Sequence, residues 1–250
     1  MNLLIFGGSG RTGQALVEQA LEQGHLVTVF ARDPAKVRRI DRNLVVLKGD
    51  IADYDSVEAA TKGQDAVLSA LGTRPQVGLV IILVIICQVI ARVLALSGTF
   101  NLLLRIAVPL LILLIFRRKR TTLSDGTKNI VKAMGKLRVQ RLICESSLGV
   151  GDSRERLGLL YTYVLIPLFL RGLFEDKEAQ ERTIRDSALD WVIVRPAALT
   201  NGSRTRHYCH GENVGHWLFS RKVSRSDVAD FMLKQLTEDE YLHMSPGISY

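Results

Sequence analysis

Seven residues near the N-terminus have the composition of a phosphate-binding loop: Gly7-Gly8-Ser9-Gly10-Arg11-Thr12-Gly13. They follow the apolar run at residues 3–6 and precede a segment whose apolar residues recur at nearly helical spacing. Between a strand and a helix, glycines at 7, 10 and 13 allow a tight turn, a close backbone approach to a pyrophosphate and close helix packing. The helix N-terminus then offers its N–H groups to the phosphates. An ordinary flexible turn is the alternative, but the position at the start of the chain's strand–helix series favours a dinucleotide site.

The type of dinucleotide depends on Arg32, which ends a second β-rich run about twenty residues beyond the loop. An acidic residue there would accept a hydrogen bond from the ribose 2′-hydroxyl of NAD, whereas an arginine suits the 2′-phosphate of NADP. Arg11 would provide a second phosphate contact or stack on the adenine. Asp33 is one residue further on and is interpreted as a helix cap. A solvated strand end is the alternative for Arg32, and we predict NADP(H) as the cofactor.

Strand and helix signals alternate along the chain and would position these residues. After the strand at residues 3–6 and the helix that ends at Gly24, we predict strands at 26–31, 44–47, 66–71, 141–144 and 191–194 and helices at 53–62, 127–134, 176–187 and 227–236. This alternation is typical of an α/β fold with a doubly wound parallel sheet. We predict a single domain over residues 1–250.

Residues 75–120 interrupt the alternation and are predicted to form an apolar helical insertion. Two runs of about twenty residues are each long enough to cross a bilayer as a helix, and the basic cluster at 117–120 follows them. A hairpin would place Arg74 and this cluster together on the cytoplasmic side of a membrane. Arg92 and Arg105 interrupt the runs, near the connecting loop. The alternative is a cytoplasmic protein in which this segment packs against a second copy, in a homo-oligomer, or caps the site.

A second apolar segment, at residues 157–170, precedes a predicted helix. With Tyr161, Tyr163 and the following Arg171, it is expected to lie in the membrane interface beside the insertion.

Composition argues against several other classes of protein. The net charge is +8 and the pI about 9.6, but aromatic residues make up only 6% and are not interleaved with basic runs, so we expect no nucleic-acid partner. The three cysteines, Cys87, Cys144 and Cys209, lie far apart, which indicates a reducing compartment without disulfides. A further group matches no zinc-binding spacing and is expected to be a mobile surface loop without metal: His207, Cys209, His210 and His216. No G-x-S-x-G elbow is present, so a serine hydrolase has no support.

Taken together, the motifs resemble those of the atypical short-chain dehydrogenase/reductases with NAD(P)H-binding Rossmann folds, and especially the biliverdin-IXβ/flavin reductases. The resemblance extends over nearly all of the chain outside residues 75–120. It rests on residues 5–13, 27–29, 32–33, 48–50, 63–67, 71–74, 125–131, 195–196 and 226–231.

This resemblance implies roles for the matched positions. Ser9, Gly10, Arg11 and Thr12 would hold phosphate, and Arg32 would bind the 2′-phosphate. The adenine would be bordered by Asp50 and Ile51, and the ribose side would be lined by Leu71, Gly72 and Thr73. Glu145, Ser146 and Ser147 would end the strand beneath the nicotinamide, and Ala198 and Leu199 would follow an Arg-Pro turn near its carboxamide. Lys177 corresponds to a residue that contacts the nicotinamide ribose.

One departure from the wider superfamily affects the chemistry. A tyrosine four residues before the lysine usually acts as general acid, but Leu173 occupies that position here. A hydride transfer without a protein acid, in which Ser147 or water orients the substrate, is the remaining route, with Ser147 and Lys177 as the candidate catalytic residues. We therefore expect an NADPH-dependent oxidoreductase with a hydrophobic substrate such as a quinone, flavin or tetrapyrrole. The alternative is a non-catalytic NADP(H)-binding regulator or assembly factor for a membrane complex.

Overall fold

A computed structural model describes residues 1–72, 122–216 and 221–250 of the protein. Within these ranges the α-helices are α1 (Arg11–Glu22), α2 (Tyr54–Thr61), α3 (Thr122–Leu137), α4 (Arg171–Arg185) and α5 (Arg225–Lys234). The strands are β1 (Asn2–Phe6), β2 (Leu26–Ala31), β3 (Leu44–Lys48), β4 (Ala66–Ser69), β5 (Arg141–Glu145), β6 (Asp190–Pro196), β7 (Ala198–Thr200), β8 (Cys209–Gly211), β9 (Lys222–Ser224) and β10 (Gly247–Ser249). Short 3₁₀-helices lie at Pro34–Lys36 and Gly151–Leu157, and a π-helix, Tyr161–Leu170, precedes α4.

Eight of these strands form one sheet in the order β3-β2-β1-β4-β5-β6-β10-β8. All neighbours are parallel except β8, which pairs antiparallel with β10. The order reverses between β1 and β4, which is the place where such sheets bind ligands at their carboxyl ends. A separate parallel pair, β7 and β9, lies in a two-stranded sheet.

The sheet is covered on both faces, because alternate residues of its strands enter different cores. Leu3 and Ile5 pack with α1 and α5, whereas Leu4 and Phe6 pack with α2, α3 and α4. This arrangement confirms the predicted doubly wound α/β fold and the Rossmann fold that the resemblance implied.

Several element boundaries differ from the prediction. Helix α3 already includes Thr122, five residues before the predicted start, and the Asp176 carboxylate, on α4, accepts hydrogen bonds of 3.0 Å from the backbone N–H groups of Leu123 and Ser124. Strand β4 ends at Ser69, two residues early. Asp33 is the N-cap residue of the first 3₁₀-helix, as predicted, but its side chain makes no capping hydrogen bond.

Two local predictions were wrong. Arg195 and Pro196 do not form a turn: they are the last residues of β6. Cys209 and His210 lie not in a mobile loop but in β8, which pairs with β10, and the His210 ring is hydrogen-bonded to the Tyr241 hydroxyl at 2.8 Å.

The predicted hairpin at residues 75–120 lies outside the described residues, which resume at Thr122. The division into one domain with this insertion therefore stays a prediction. Among the helices that are described, none is both long and apolar enough to cross a bilayer.

Candidate functional site

The glycine loop lies between the carboxyl ends of β1 and β4, where the strand order reverses. Gly7 follows β1 with a φ of +80°, and a β-carbon there would overlap the carbonyl oxygen of Ala70. A β-carbon at Gly13, in the first turn of α1, would overlap the carbonyl oxygen of Gly7. Glycine at these two positions therefore lets the loop, the helix and the end of β4 approach one another.

The amides at the start of α1 are available to a ligand. The N-cap residue Gly10 has no side chain to cap the helix, and the first turn contains no acidic residue. The Gly10 N–H donates to the Gly7 carbonyl oxygen at 2.8 Å and closes the loop. The next N–H groups of the first turn lack intrahelical acceptors and lie at the positive end of the helix dipole. Backbone amides, a positive dipole and space cleared by glycine fit the diphosphate of a dinucleotide.

Two of the predicted phosphate residues differ in how they are placed. Arg11 is exposed at the mouth of the loop, whereas Thr12 is buried. The Thr12 hydroxyl donates to the Glu145 carboxylate at 3.1 Å, so its side chain points into the fold. Thr12 therefore offers a ligand its backbone N–H. Its side chain connects α1 to the end of β5 through the hydrogen bond to Glu145.

The end of β2 presents a cationic surface for the adenosine part of a dinucleotide. Arg32 is exposed directly after β2 and makes no ion pair with any described residue. The neighbouring acid, Asp33, is held by Lys36 at 3.0 Å. This hydrogen bond, and then the charge of Lys36, lowers the pKa of Asp33. Lys48, on β3, pairs in register with Ala31 and adds a further positive charge beside Arg32.

The other residues predicted around the adenine and ribose lie at the carboxyl ends of β3 and β4. The Asp50 carboxylate accepts a hydrogen bond from the backbone N–H of Ala52 at 3.1 Å and shapes the turn after β3. The carbonyl oxygen of Ile51 accepts from the Asn129 side chain at 2.8 Å, which fixes Ile51 against α3. Leu71 and Gly72 follow β4, and Thr73 lies outside the described residues.

The candidate catalytic residues come together beyond the end of β5. The Lys177 ammonium donates to the carbonyl oxygen of Ser146 at 3.0 Å, so α4 holds this lysine beside the Ser146–Ser147 peptide. The Ser147 hydroxyl is partly exposed and donates to the carbonyl oxygen of Leu148 at 3.1 Å. The Ser146 hydroxyl is buried and donates to Glu181 instead. Lys177 therefore lies beside the peptide that joins Ser146 to Ser147, and the Ser146 side chain has a structural contact.

Glu145 is a buried carboxyl group at the centre of this edge, at the last position of β5. Burial raises its pKa, and the charge of Lys177 and the hydrogen bond from Thr12 oppose that change. Glu145 thus connects the phosphate loop to the residues beneath the predicted nicotinamide position.

Sequence reasoning missed a buried ion-pair cluster behind Ser146. Glu181, on α4, accepts hydrogen bonds from the Arg195 guanidinium at 2.7 and 3.1 Å, and both side chains are almost fully buried. Arg195 also donates to Asp152 at 2.8 Å. Burial alone would lower the pKa of Arg195, but the bonds with these two carboxylates outweigh it and raise the pKa. A signal was present, since Lys177 and Glu181 are four residues apart and lie on one helix face.

A second missed residue is Arg225, the first residue of α5. Its guanidinium donates to the side-chain oxygen of Asn201 at 2.7 Å, just beyond β7. Burial lowers the pKa of Arg225, and the positive charge of Arg11 lowers it further, while Glu145 acts in the opposite direction. Arg11 and Arg225 therefore repel each other at the edge of the site. An anionic ligand would relieve this repulsion.

The predicted residues near the carboxamide, Ala198 and Leu199, lie in β7 and are partly exposed. In the described part of the chain, no group of three or more His, Cys, Asp and Glu side chains is placed to hold a metal ion.

Comparison with known proteins agrees with this geometry. The NAD(P)H-binding family matches residues 7–239, which include the glycine loop, the end of β5 and α5. An uncharacterised chloroplast protein of Arabidopsis thaliana is 25% identical over 95% of this chain and 72% of its own length. An isoflavone reductase homologue of Zea mays is 35% identical over 80 residues, which are 28% of this chain and 26% of that protein.

Solved structures share the fold at low sequence identity. An oxidoreductase from Lactococcus lactis superposes with a TM-score of 0.70 at 18% identity, over 100% of this chain and 90% of that one. An anaerobilin reductase from Escherichia coli gives a TM-score of 0.69 at 19% identity, over 100% and 97% of the two chains. The family match also confirms the predicted cofactor at the level of NAD(P)H. The loop, the sheet order and the match over nearly the whole sequence lead to one conclusion: the chain belongs to the NAD(P)H-binding family.

Proposed function

We propose that this protein is an NADPH-dependent reductase of a hydrophobic organic substrate. The observation that carries the proposal is the location of Ser147 and Lys177 at the same sheet edge as the glycine loop. A nucleotide whose diphosphate lies on α1 would extend along this edge, and when bound it supplies a hydride. The names of two relatives, an anaerobilin reductase and an isoflavone reductase homologue, support reduction as the type of reaction.

NADPH is the proposed nucleotide, in preference to NADH, because of the charges at the end of β2. Asp33 is already paired with Lys36, so the exposed Arg32 is the group that faces an incoming ribose substituent. A 2′-phosphate gains a charge-assisted contact there, and a 2′-hydroxyl does not. Arg11 and Arg225 favour an anionic ligand at the opposite end of the loop.

The chain's own residues would orient the reactants. Lys177 is anchored by the Ser146 carbonyl oxygen, which holds its ammonium group at the peptide that precedes Ser147, and the Ser147 hydroxyl is partly exposed. Both groups are proton donors that can hold a carbonyl or imine nitrogen in place. No tyrosine serves as acid at position 173, where a half-buried leucine lies. We therefore propose that the proton reaches the substrate from water or along Ser147.

The test of this proposal is steady-state NADPH oxidation by the full-length protein with quinone, flavin and tetrapyrrole acceptors. Turnover with at least one acceptor, and its loss in Lys177→Ala with NADPH binding retained, would support the proposal. The matched control is Lys128→Ala, because Lys128 is an exposed lysine on α3 that pairs with Asp125, also exposed, at 3.0 Å. Equal turnover in the Lys177→Ala and Lys128→Ala variants would contradict the assignment of Lys177.

The second candidate function is a non-catalytic NADP(H)-binding regulator or assembly factor. It is favoured by Leu173, which replaces the usual acid. Tight NADPH binding without turnover on the whole acceptor panel would select this function over the first.

We also propose that the protein associates with the cytoplasmic side of a membrane through residues 75–120. The sequence of this segment supports the proposal, since it contains long apolar runs, no acidic residue and the basic cluster at 117–120. Replacing residues 77–116 by a short Gly/Ser connection should release the protein from membranes and preserve NADPH binding. Full-length protein that purifies from cytosol without detergent, as a homo-oligomer, would contradict the membrane proposal.

A further inference from the structure

Four large apolar side chains are exposed together at the start of the π-helix. Leu159 and Leu160 are 39% and 61% exposed, and Tyr163 and Val164 are 66% and 40% exposed. Leu159 and Leu160 come just before the π-helix, and Tyr163 and Val164 lie four residues further on, within it. This spacing of four residues places all four on one helical face. We call them the 159–164 surface. Contiguous apolar exposure of this kind marks an interaction site more often than scattered apolar residues do.

The fold holds this surface outward. Thr162 and Ile166, on the opposite face of the same segment, are buried, and Ile166 belongs to the main core. The Thr162 hydroxyl donates to the carbonyl oxygen of Arg154 at 2.9 Å, and its N–H donates to the carbonyl oxygen of Gly158 at 3.0 Å. Because the inner face is fixed in this way, Tyr163 and Val164 cannot turn inward without breaking buried contacts.

The charges beside the surface are mainly positive. Between residues 154 and 171 the chain has three arginines, Arg154, Arg156 and Arg171, and one acid, Glu155. Arg171 is paired with Glu175 at 2.8 Å, so Arg154 and Arg156 supply the positive charge beside the surface. Arg154 lies against the π-helix through its contact with Thr162, and its side chain is exposed and makes no ion pair with any described residue. A tyrosine at an apolar surface with arginines at its rim is the pattern of a segment that lies in the headgroup region of a bilayer.

The described chain resumes at Thr122, and the next two backbone N–H groups bind Asp176, five residues after Arg171 on α4. The chain therefore returns to the fold beside the helix that follows the 159–164 surface.

We propose that the 159–164 surface inserts into the interface of an anionic lipid membrane. This inference rests on the proposed membrane association and identifies the folded surface that faces the lipid, independently of residues 75–120.

The test uses a fluorescent reporter at the surface itself. Tyr163→Cys is labelled with an environment-sensitive nitrobenzoxadiazole dye in full-length protein in which Cys87 and Cys209 are replaced by serine. The control carries the dye at Val45→Cys, on the edge strand β3, where the native side chain is 54% exposed. Vesicles of phosphatidylcholine and phosphatidylglycerol, with and without brominated acyl chains, are added. We expect brominated lipid to quench the dye at position 163 and not at position 45.

The arginine rim is tested by vesicle flotation. Each arginine near an anionic surface strengthens binding about fivefold, so Arg154→Gln should weaken flotation with phosphatidylglycerol vesicles by about that factor and leave pure phosphatidylcholine vesicles unaffected.

The outcomes separate this inference from the proposals on which it rests. Flotation without quenching at position 163 would overturn the inference and keep membrane association through another part of the chain. A blue-shifted dye emission that is identical with and without vesicles would also overturn it, because a second copy or another segment of the chain would then cover the surface. No flotation at all would overturn both membrane proposals, and NADPH turnover would still test the reductase separately.

Discussion

Breaking the buried ion pair behind the candidate catalytic residues is expected to cost much of the protein's stability. Glu181 and Arg195 are 1% and 2% exposed and share two hydrogen bonds of 2.7 and 3.1 Å. Removing one partner of such a pair typically costs about 3–5 kcal/mol, because the other charge stays buried. In Glu181→Gln, Arg195 keeps a bond of 2.8 Å to Asp152, whose side chain is 67% exposed. We therefore expect a loss near the lower limit, about 3 kcal/mol.

Urea unfolding gives the free energy directly, and the same helix offers a matched control. Glu178 also pairs with an arginine, Arg182, but at 3.8 Å and with both side chains more than half exposed. Glu178→Gln should therefore cost less than about 1 kcal/mol. The double variant Glu181→Leu with Arg195→Met should lose less than the sum of the two single changes, since neither charge of the pair then stays buried without the other. Equal small losses in the Glu181 and Glu178 variants would refute the argument.

Three further predictions concern the nucleotide site. Arg32→Asp should weaken NADPH binding about 10- to 100-fold, the value of one charge-assisted contact, and leave NADH affinity unchanged, both measured by titration calorimetry. A parallel loss of affinity for both nucleotides would count against a 2′-phosphate contact. Gly13→Ala should weaken nucleotide binding about tenfold or more, because the new β-carbon overlaps the Gly7 carbonyl oxygen. The control Gly135→Ala, on α3, has open space around the new β-carbon, so it should bind nucleotide normally and gain up to about 1 kcal/mol of stability. Burial raises the folded-state pKa of Glu145 above its ordinary 4.5, so the wild type should lose stability as pH rises from 4.5 through the raised value. Glu145→Gln should lack that loss in urea unfolding across this range, and parallel pH profiles of the two proteins would disprove the assignment to Glu145.

The regular part of the fold could be predicted because its signals are local. Strand β2 has the predicted limits, since six β-prone residues are followed by Arg32 and the Asp33-Pro34 pair. The start of α3 could not be predicted, because its first N–H groups are capped by Asp176, which is more than fifty residues away in sequence. The short strands β7 to β10 have three residues each, too few for a periodic pattern.

Pro196 illustrates a misleading local signal. Proline suggested a turn, because it lacks the N–H that a central strand needs. The neighbouring N–H groups of Arg195 and Ala197 donate to β10 and its preceding residue, so position 196 faces the other side. On that side the segment after β5 bonds to β6 through its own N–H groups, since Ser146 and Leu148 donate to the carbonyl oxygens of Val194 and Pro196. The Ser146 carbonyl oxygen accepts from Lys177 instead of from position 196. The strand therefore tolerates proline, and Arg195 is carried into the core.

The candidate site could be predicted where the structure requires one residue type, as it requires glycine in the loop. It could not be predicted where the site depends on contacts between segments that are distant in sequence. Glycines at 7 and 13 indicated the loop, since their close approach excludes any side chain. Arg225 gave no such signal, because its relation to Arg11 and Asn201 exists only once α5 and β7 are placed beside α1.

The cap that Asp176 provides to α3 has a consequence for how this chain tolerates change. Most helices take their first cap from the residue just before them, so that the preceding loop and the helix start depend on each other. Here Asp176, on α4, accepts from the N–H groups of Leu123 and Ser124, so these two groups are capped by a packed helix. We therefore expect that segments of different length and chemistry can be exchanged between β4 and α3 without changing the nucleotide-binding sheet. Within the family, we expect variation in chain length to concentrate at this junction, and domain grafting there to preserve NADPH binding.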